Sequence, residues 1–150
     1  MVKLNNPNPY GSLSEDRLHN FENVLGCKLP LEYRFFLLKY NGGSPEPGGF
    51  WIISGADGSK VRLFYGLHHG PKWLSIDYQF TEFYGVPDRM LAIGDDGVGN
   101  LLCLGITDEF CGNIYFLDHE IHPLDSPNSM EGVYKLATSF TSFLESLTHL

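Results

Sequence analysis

Leu91-Ala92-Ile93-Gly94, Leu101-Leu102-Cys103-Leu104-Gly105-Ile106 and Asn113-Ile114-Tyr115-Phe116-Leu117-Asp118 follow one another through two short links rich in Asp and Gly. Each run is too short for a stable helix and is bounded by turn formers, so the three read as adjacent strands of a meander. Leu101 to Ile106 shows little alternation of apolar and polar residues, the pattern of a strand covered on both faces or of a hidden dimer surface.

Outward from this centre the period changes. Toward the carboxyl end, Leu136, Ala137, Phe140, Phe143, Leu144 and Leu147 form an apolar stripe that predicts a helix of about four turns beginning near Val133. Toward the amino end, Ser75 is placed to cap a helix with Ile76, Phe80 and Phe83 on one side, closed by Gly85 and Pro87. Leu67 to Lys72 reads as an irregular bridge. Phe50 to Ser54 and Val61 to Tyr65 read as two strands joined around Asp57-Gly58, a favoured hairpin dipeptide. Two helices precede them. Ser12 and Glu15 have capping-box spacing ahead of Leu18, Phe21 and Leu25, with Gly26 as the stop. Pro30 then opens a second helix carrying Tyr33, Phe36, Leu37 and Tyr40, ended by Asn41-Gly42-Gly43. Helices at both ends with strands between, joined by short links, imply an α+β fold. The expectation is one domain with a mostly antiparallel or mixed sheet of five or six strands and about four helices packed against it.

Composition narrows the function. With 150 residues, 43% hydrophobic, and 11 Phe, 8 Tyr and 2 Trp, one domain of this size buries about 70% of its unfolded surface. The longest apolar runs, such as Phe50 to Ile53, are far short of a bilayer span. Met1 to Tyr10 has no apolar leader core, which predicts a cytoplasmic protein. Cys27, Cys103 and Cys111 are an odd set with no C-x-x-C pair, and they read as small buried thiols. The net charge is −8, with an uneven distribution: residues 1–75 hold eight bases and six acids, residues 76–150 two bases and twelve acids. From Met90 to Tyr134 there is no Lys or Arg at all. Such a chain is ill suited to gripping phosphates and suggests instead a basic partner.

Candidate catalytic chemistry is thin. His119-Glu120-Ile121-His122 has three-residue spacing where a zinc-protease helix needs four, and Pro123 follows; His68-His69 could complete a metal set only in principle. A strand-end histidine hydrogen-bonded locally is the simpler reading of that motif. Asp95-Asp96-Gly97-Val98-Gly99-Asn100 lacks the bidentate Glu of a calcium loop and the Lys of a P-loop, which leaves a tight strand-to-strand turn. Ser54-Gly55 is no nucleophile elbow, and no cysteine carries a local catalytic signature.

Leu25-Gly26-Cys27-Lys28-Leu29-Pro30-Leu31-Glu32-Tyr33-Arg34-Phe35-Phe36-Leu37, running to Asn41-Gly42-Gly43, resembles the signature of the SUKH superfamily. Ile93 to Asn100 resembles its middle motif, Gly112 to Glu120 its following strand, and Ser139-Phe140 through Phe143-Leu144 its terminal helix, all in the family's order. Val98 departs from the pattern, where a third small glycine is common. The superfamily embraces fungal cell-wall assembly regulators and bacterial immunity proteins that neutralise secreted polymorphic toxins. The resemblance implies one SUKH-like domain over residues 1–150, with a core at about 12–148 and an amino-terminal extension at 1–10. It implies a binder with no catalytic residues and no cofactor. The leading expectation is an immunity protein that blocks a cognate toxin, a basic nuclease, without touching nucleic acid or membrane. A regulatory module of the cell-wall type and a histidine-based metal hydrolase are the alternatives. From charge alone, the partner-binding residues are expected at Asp95, Asp96, Asp108, Glu109, Asp118 and Glu120.

Overall fold

The structure is a computed structural model that describes residues 2–53, 57–83 and 85–150. In chain order the elements are β1 (Lys3–Asn5), α1 (Glu15–Leu25), α2 (Leu31–Lys39), β2 (Ser44–Glu46), β3 (Gly49–Ile53), β4 (Asp57–Lys60), β5 (Leu63–Phe64), α3 (Ile76–Thr81), β6 (Met90–Asp95), β7 (Leu101–Gly105), β8 (Ile114–Leu117), β9 (Val133–Ala137) and α4 (Phe140–Ser146). The expected α+β fold is present. The main sheet has the order β5-β6-β7-β8-β9, every pair antiparallel, and two small sheets, β1-β2 and β3-β4, flank it.

The three central strands are the meander predicted from their sequence. Leu102 stands opposite Phe116 and Leu104 opposite Ile114, so these four side chains share one face. That face meets the helices through aromatic rings: Phe50 lies 5.7 Å from both Phe116 and Phe143, and Phe140 contacts Phe36 and Phe64 at 4.7 and 5.4 Å. The alternate residues, Cys103 opposite both Ala92 and Tyr115, lie on the second face and are also buried. Burial on both faces explains why these strands lack polar alternation. Residues 119–132 leave the end of β8 and loop back to it. Asn128 reaches Asp88 ahead of β6, and the segment returns where the Asp118 amide donates to the Gly132 carbonyl.

Several expectations change at the edges. The tail stripe divides: Val133–Ala137 is strand β9, and α4 is a two-turn helix that begins only after Ser139. Two forces override the helical spacing. β9 satisfies the backbone edge of β8, and Ser139 and Ser142 form a capping box that starts the helix there. The first cap is Ser14, whose hydroxyl accepts from the Arg17 amide; Glu15 reaches Arg34 instead of closing a box with Ser12. Gly26 stops α1 in the left-handed region at φ 80°, a conformation that costs glycine little.

Asp57-Gly58 lies inside β4, where Gly58 is opposite Trp51, and is not a turn. The predicted partner Val61 to Tyr65 instead supplies β5 to the main sheet. Ser54, the expected end of the first strand, and Gly55 beside it lie outside the described residues. The third helix stops at Thr81, before Phe83. Near the amino terminus, Lys3–Asn5 pairs with Ser44–Glu46 as β1-β2.

Candidate functional site

The antiparallel meander sorts the six acids chosen from sequence into two groups. Leu101 is opposite both Asp95 and Leu117, so the β6–β7 turn and the end of β8 share one end of the sheet. Asp95, Asp96, Asp118 and Glu120 gather there. Asp108 and Glu109 sit in the β7–β8 turn at the opposite end, about 15 Å away along a five-residue strand.

Their surroundings differ as much as their positions. Asp95 is 8% exposed. Its two oxygens accept from Arg62 Nε and Nη2, each at 2.7 Å, from the Tyr65 hydroxyl at 2.7 Å and from the Gly97 amide at 3.0 Å. Burial alone would raise this carboxyl, but Arg62 and Tyr65 outweigh it and hold Asp95 below its ordinary value. The same burial and the adjoining carboxylate push the Tyr65 hydroxyl up. Asp96 is half-buried and organises its own turn. Its Oδ1 accepts from the Val98 and Asn100 amides at 3.0 and 3.1 Å, and its Oδ2 from Asn100 Nδ2 at 2.8 Å and Ser59 Oγ at 3.2 Å. Asp118 accepts from the Glu120 amide at 2.9 Å. Asp108 is exposed and lies 3.4 Å from Arg89. Glu109 and Glu120 are exposed.

The turn is braced from β8. Asn100 Oδ1 accepts from the His119 amide at 3.0 Å and faces His119 Nδ1 at 2.6 Å, which places the ring proton on Nδ1. Gly99, at φ 101°, lies against the His119 ring; a Cβ there would sit 2.9 Å from Cε1. One glycine is therefore required by contact as well as by dihedral.

His68 and His122 are also held locally. His68 Nε2 faces the Leu74 carbonyl at 3.1 Å and its Nδ1 accepts from the Gly70 amide at 3.0 Å; burial lowers its pKa. Buried His122 donates from Nδ1 to the Glu131 carbonyl at 2.9 Å. Among the described residues, no three His, Cys, Asp or Glu side chains are grouped to hold a metal ion. Burial pushes the Cys103 thiol up to about 12, and burial followed by the neighbouring Cys111 raises Cys27, so neither is poised as a thiolate. Among the described residues no helix is long and apolar enough to cross a membrane.

Sequence reasoning missed the 119–132 segment as a surface in its own right. It combines Glu120, Asp125 and Glu131 with the exposed apolar side chains of Ile121, Leu124 and Met130, Leu124 being 87% exposed. The available signal was apolar residues without any period inside a base-free, Pro- and Ser-bearing stretch.

Residues 12–146 match the SMI1 / KNR4 family (SUKH-1). The chain belongs to that family. This SUKH-1 chain is also similar to the SPbeta prophage-derived uncharacterized protein YokK of Bacillus subtilis (strain 168), with 28% identity over 153 residues, covering 89% of this chain and 74% of that protein. The matched region takes in all four helices and every strand of the main sheet. It contains the braced Asp95 to Asn100 turn and the acidic segment, while β1 lies outside it.

Proposed function

We propose that this protein is an immunity protein that binds a cognate secreted toxin one to one and blocks it, the toxin being a nuclease with a basic substrate groove. The observation that carries the reading is the 45-residue run from Met90 to Tyr134 without Lys or Arg, in a member of a family whose proteins commonly serve in immunity. A nuclease concentrates positive charge where it grips phosphates. A protein that presents carboxylates can occupy that groove, and the same field speeds its arrival.

Asp96, Asp118 and Glu120 form the surface at one end of the sheet, and Asp108 and Glu109 a second contact at the other. Asp95 supports the first group by fixing the turn through Arg62. A standard interface takes about 800 Å² from each partner. Apolar anchors such as Leu124 supply affinity, and the carboxylates supply rate and register.

The test is to find a secreted toxin gene beside this one and co-express its toxin domain with this protein. The expected result is a stoichiometric complex on gel filtration and survival of cells that die without this protein. Survival without a complex, or no protection at all, overturns the reading.

A further inference from the structure

The acidic segment also walls a groove. Phe80, Phe83, Val86, Met90 and Pro127 line an apolar hollow of about 570 Å³, and a second hollow of about 340 Å³ beside Phe110 and Met130 shares Pro87, Asp88 and Met90 with it. The two are one groove. It is crossed where the Asp88 amide donates to Asn128 Oδ1 at 2.8 Å and Asn128 Nδ2 donates back to the Asp88 carboxylate at 3.2 Å. One wall is α3 with Phe83 and Val86 to Met90; the other is the segment at Pro127 to Met130.

One carboxylate, the exposed Asp88, belongs to the lining of both hollows, and the segment that supplies Pro127 to Met130 carries the exposed Asp125 and Glu131. The one cation in the described lining, Arg89, is paired with Asp108 at 3.4 Å and lies over the Phe110 ring at 5.8 Å. Apolar walls with aromatic faces beside the Asp88 carboxylate complement a side chain with an apolar stem and a cationic head. The base-free run and this groove are separate features, one of composition and one of shape, and they overlap at Met90, Phe110, Pro127, Asn128 and Met130. A basic protein drawn to the carboxylates therefore arrives over a hollow of the kind that holds interface anchors.

We propose that this groove is the anchoring site for a basic protein partner and takes up the stem of a Lys or Arg side chain from that partner's surface. The proposal rests on the immunity reading and adds the place and the chemistry of the central contact.

The experiment uses hexylammonium as the probe and hexanoate as its charge-reversed control, each titrated into the full chain and followed by amide chemical shifts. Hexylammonium is expected to give saturable shifts confined to residues 79–90, Phe110 and 127–130, with hexanoate weaker by about fivefold or more. Val86→Trp, which fills the hollow, and Asp88→Lys, which reverses the charge of its carboxylate, are each expected to abolish the hexylammonium response while the melting temperature shows that the fold is retained. If Val86→Trp melts early, Asp88→Lys at its exposed site carries the test. The proposal is overturned by equal binding of hexanoate, by shifts elsewhere, or by no saturable response. It is equally overturned if the groove amides shift when the free protein is diluted from millimolar to tens of micromolar, since a second copy would then fill the groove. Any of these results would leave the toxin complex intact, and loss of that complex would not alter the probe titration.

Discussion

Asp95 is the residue at which charge and fold meet. Its carboxylate sits at the end of β6 with four donor contacts, three of them from Arg62 and Tyr65. Asp95→Asn keeps the shape but leaves the Arg62 guanidinium without its counter-charge. Because the Arg62 side chain is half-exposed, water recovers part of the loss, and the expected cost is about 2 kcal/mol by urea unfolding. The pH dependence follows in sign. Asp95 is held below its ordinary value near 3.8, so it stabilises the fold at neutral pH and that contribution disappears as pH falls through the carboxylate range. His68 is lowered from about 6.5 because burial disfavours its charged form; below that value the unfolded chain takes up a proton that the fold resists. The melting temperature should therefore fall in two stages on acidification, and His68→Gln should remove the upper stage while leaving the lower. A single transition unchanged by that substitution would contradict the assignment.

At the scale of elements, the short α4 depends on its start. Ser139 accepts from the Ser142 amide at 3.0 Å, and Ser142 returns a bond to the Ser139 amide at 3.2 Å. Ser139→Ala should cost about 1 kcal/mol and lower amide protection across Phe140–Ser146 before that of the central strands. The β7–β8 turn is less forgiving: a Cβ at Gly105 would collide with the Phe110 carbonyl, so Gly105→Ala should cost about 2 kcal/mol or more through displaced backbone, measurable in the same unfolding curves. These elements also show what the sequence reveals. The meander was legible because each apolar run is short and flanked by Gly and Asp. The tail was not, because Leu136 on β9 stands four residues before Phe140 and seven before Phe143, a helical interval that spans a strand and a helix. The acidic surface was legible as composition, yet nothing local marks Asp95 as engaged by an arginine 33 residues earlier. The groove was invisible for the same reason, since its walls come from α3, Val86 to Met90, Phe110 and Pro127 to Met130.

For the whole molecule, the fold brings part of the separated charge back together, since Arg17 pairs with Asp77 and Arg62 with Asp95 across the two halves of the sequence. The basic residues of the first half are partly consumed in holding the fold together: Arg34 bridges Glu15 and buried Glu22, and Arg62 serves Asp95. Glu120, Asp125 and Glu131 are exposed, and no salt bridge engages them among the described residues. If this field steers a cationic partner, its effect belongs in the association rate, because screening reduces attraction at a distance more than it weakens contacts already made. Association with the toxin should slow by about tenfold or more between low and physiological ionic strength, with dissociation changing far less. Glu120→Lys combined with Asp125→Lys should reduce both the rate and its salt dependence, whereas Glu145→Lys on α4, outside the base-free run, should have a smaller effect. Stopped-flow mixing across a salt series separates the two rate constants. A rate that is flat with salt, or equally sensitive to Glu145→Lys, would mean that the acidic half does not guide the encounter, even if the complex itself is tight.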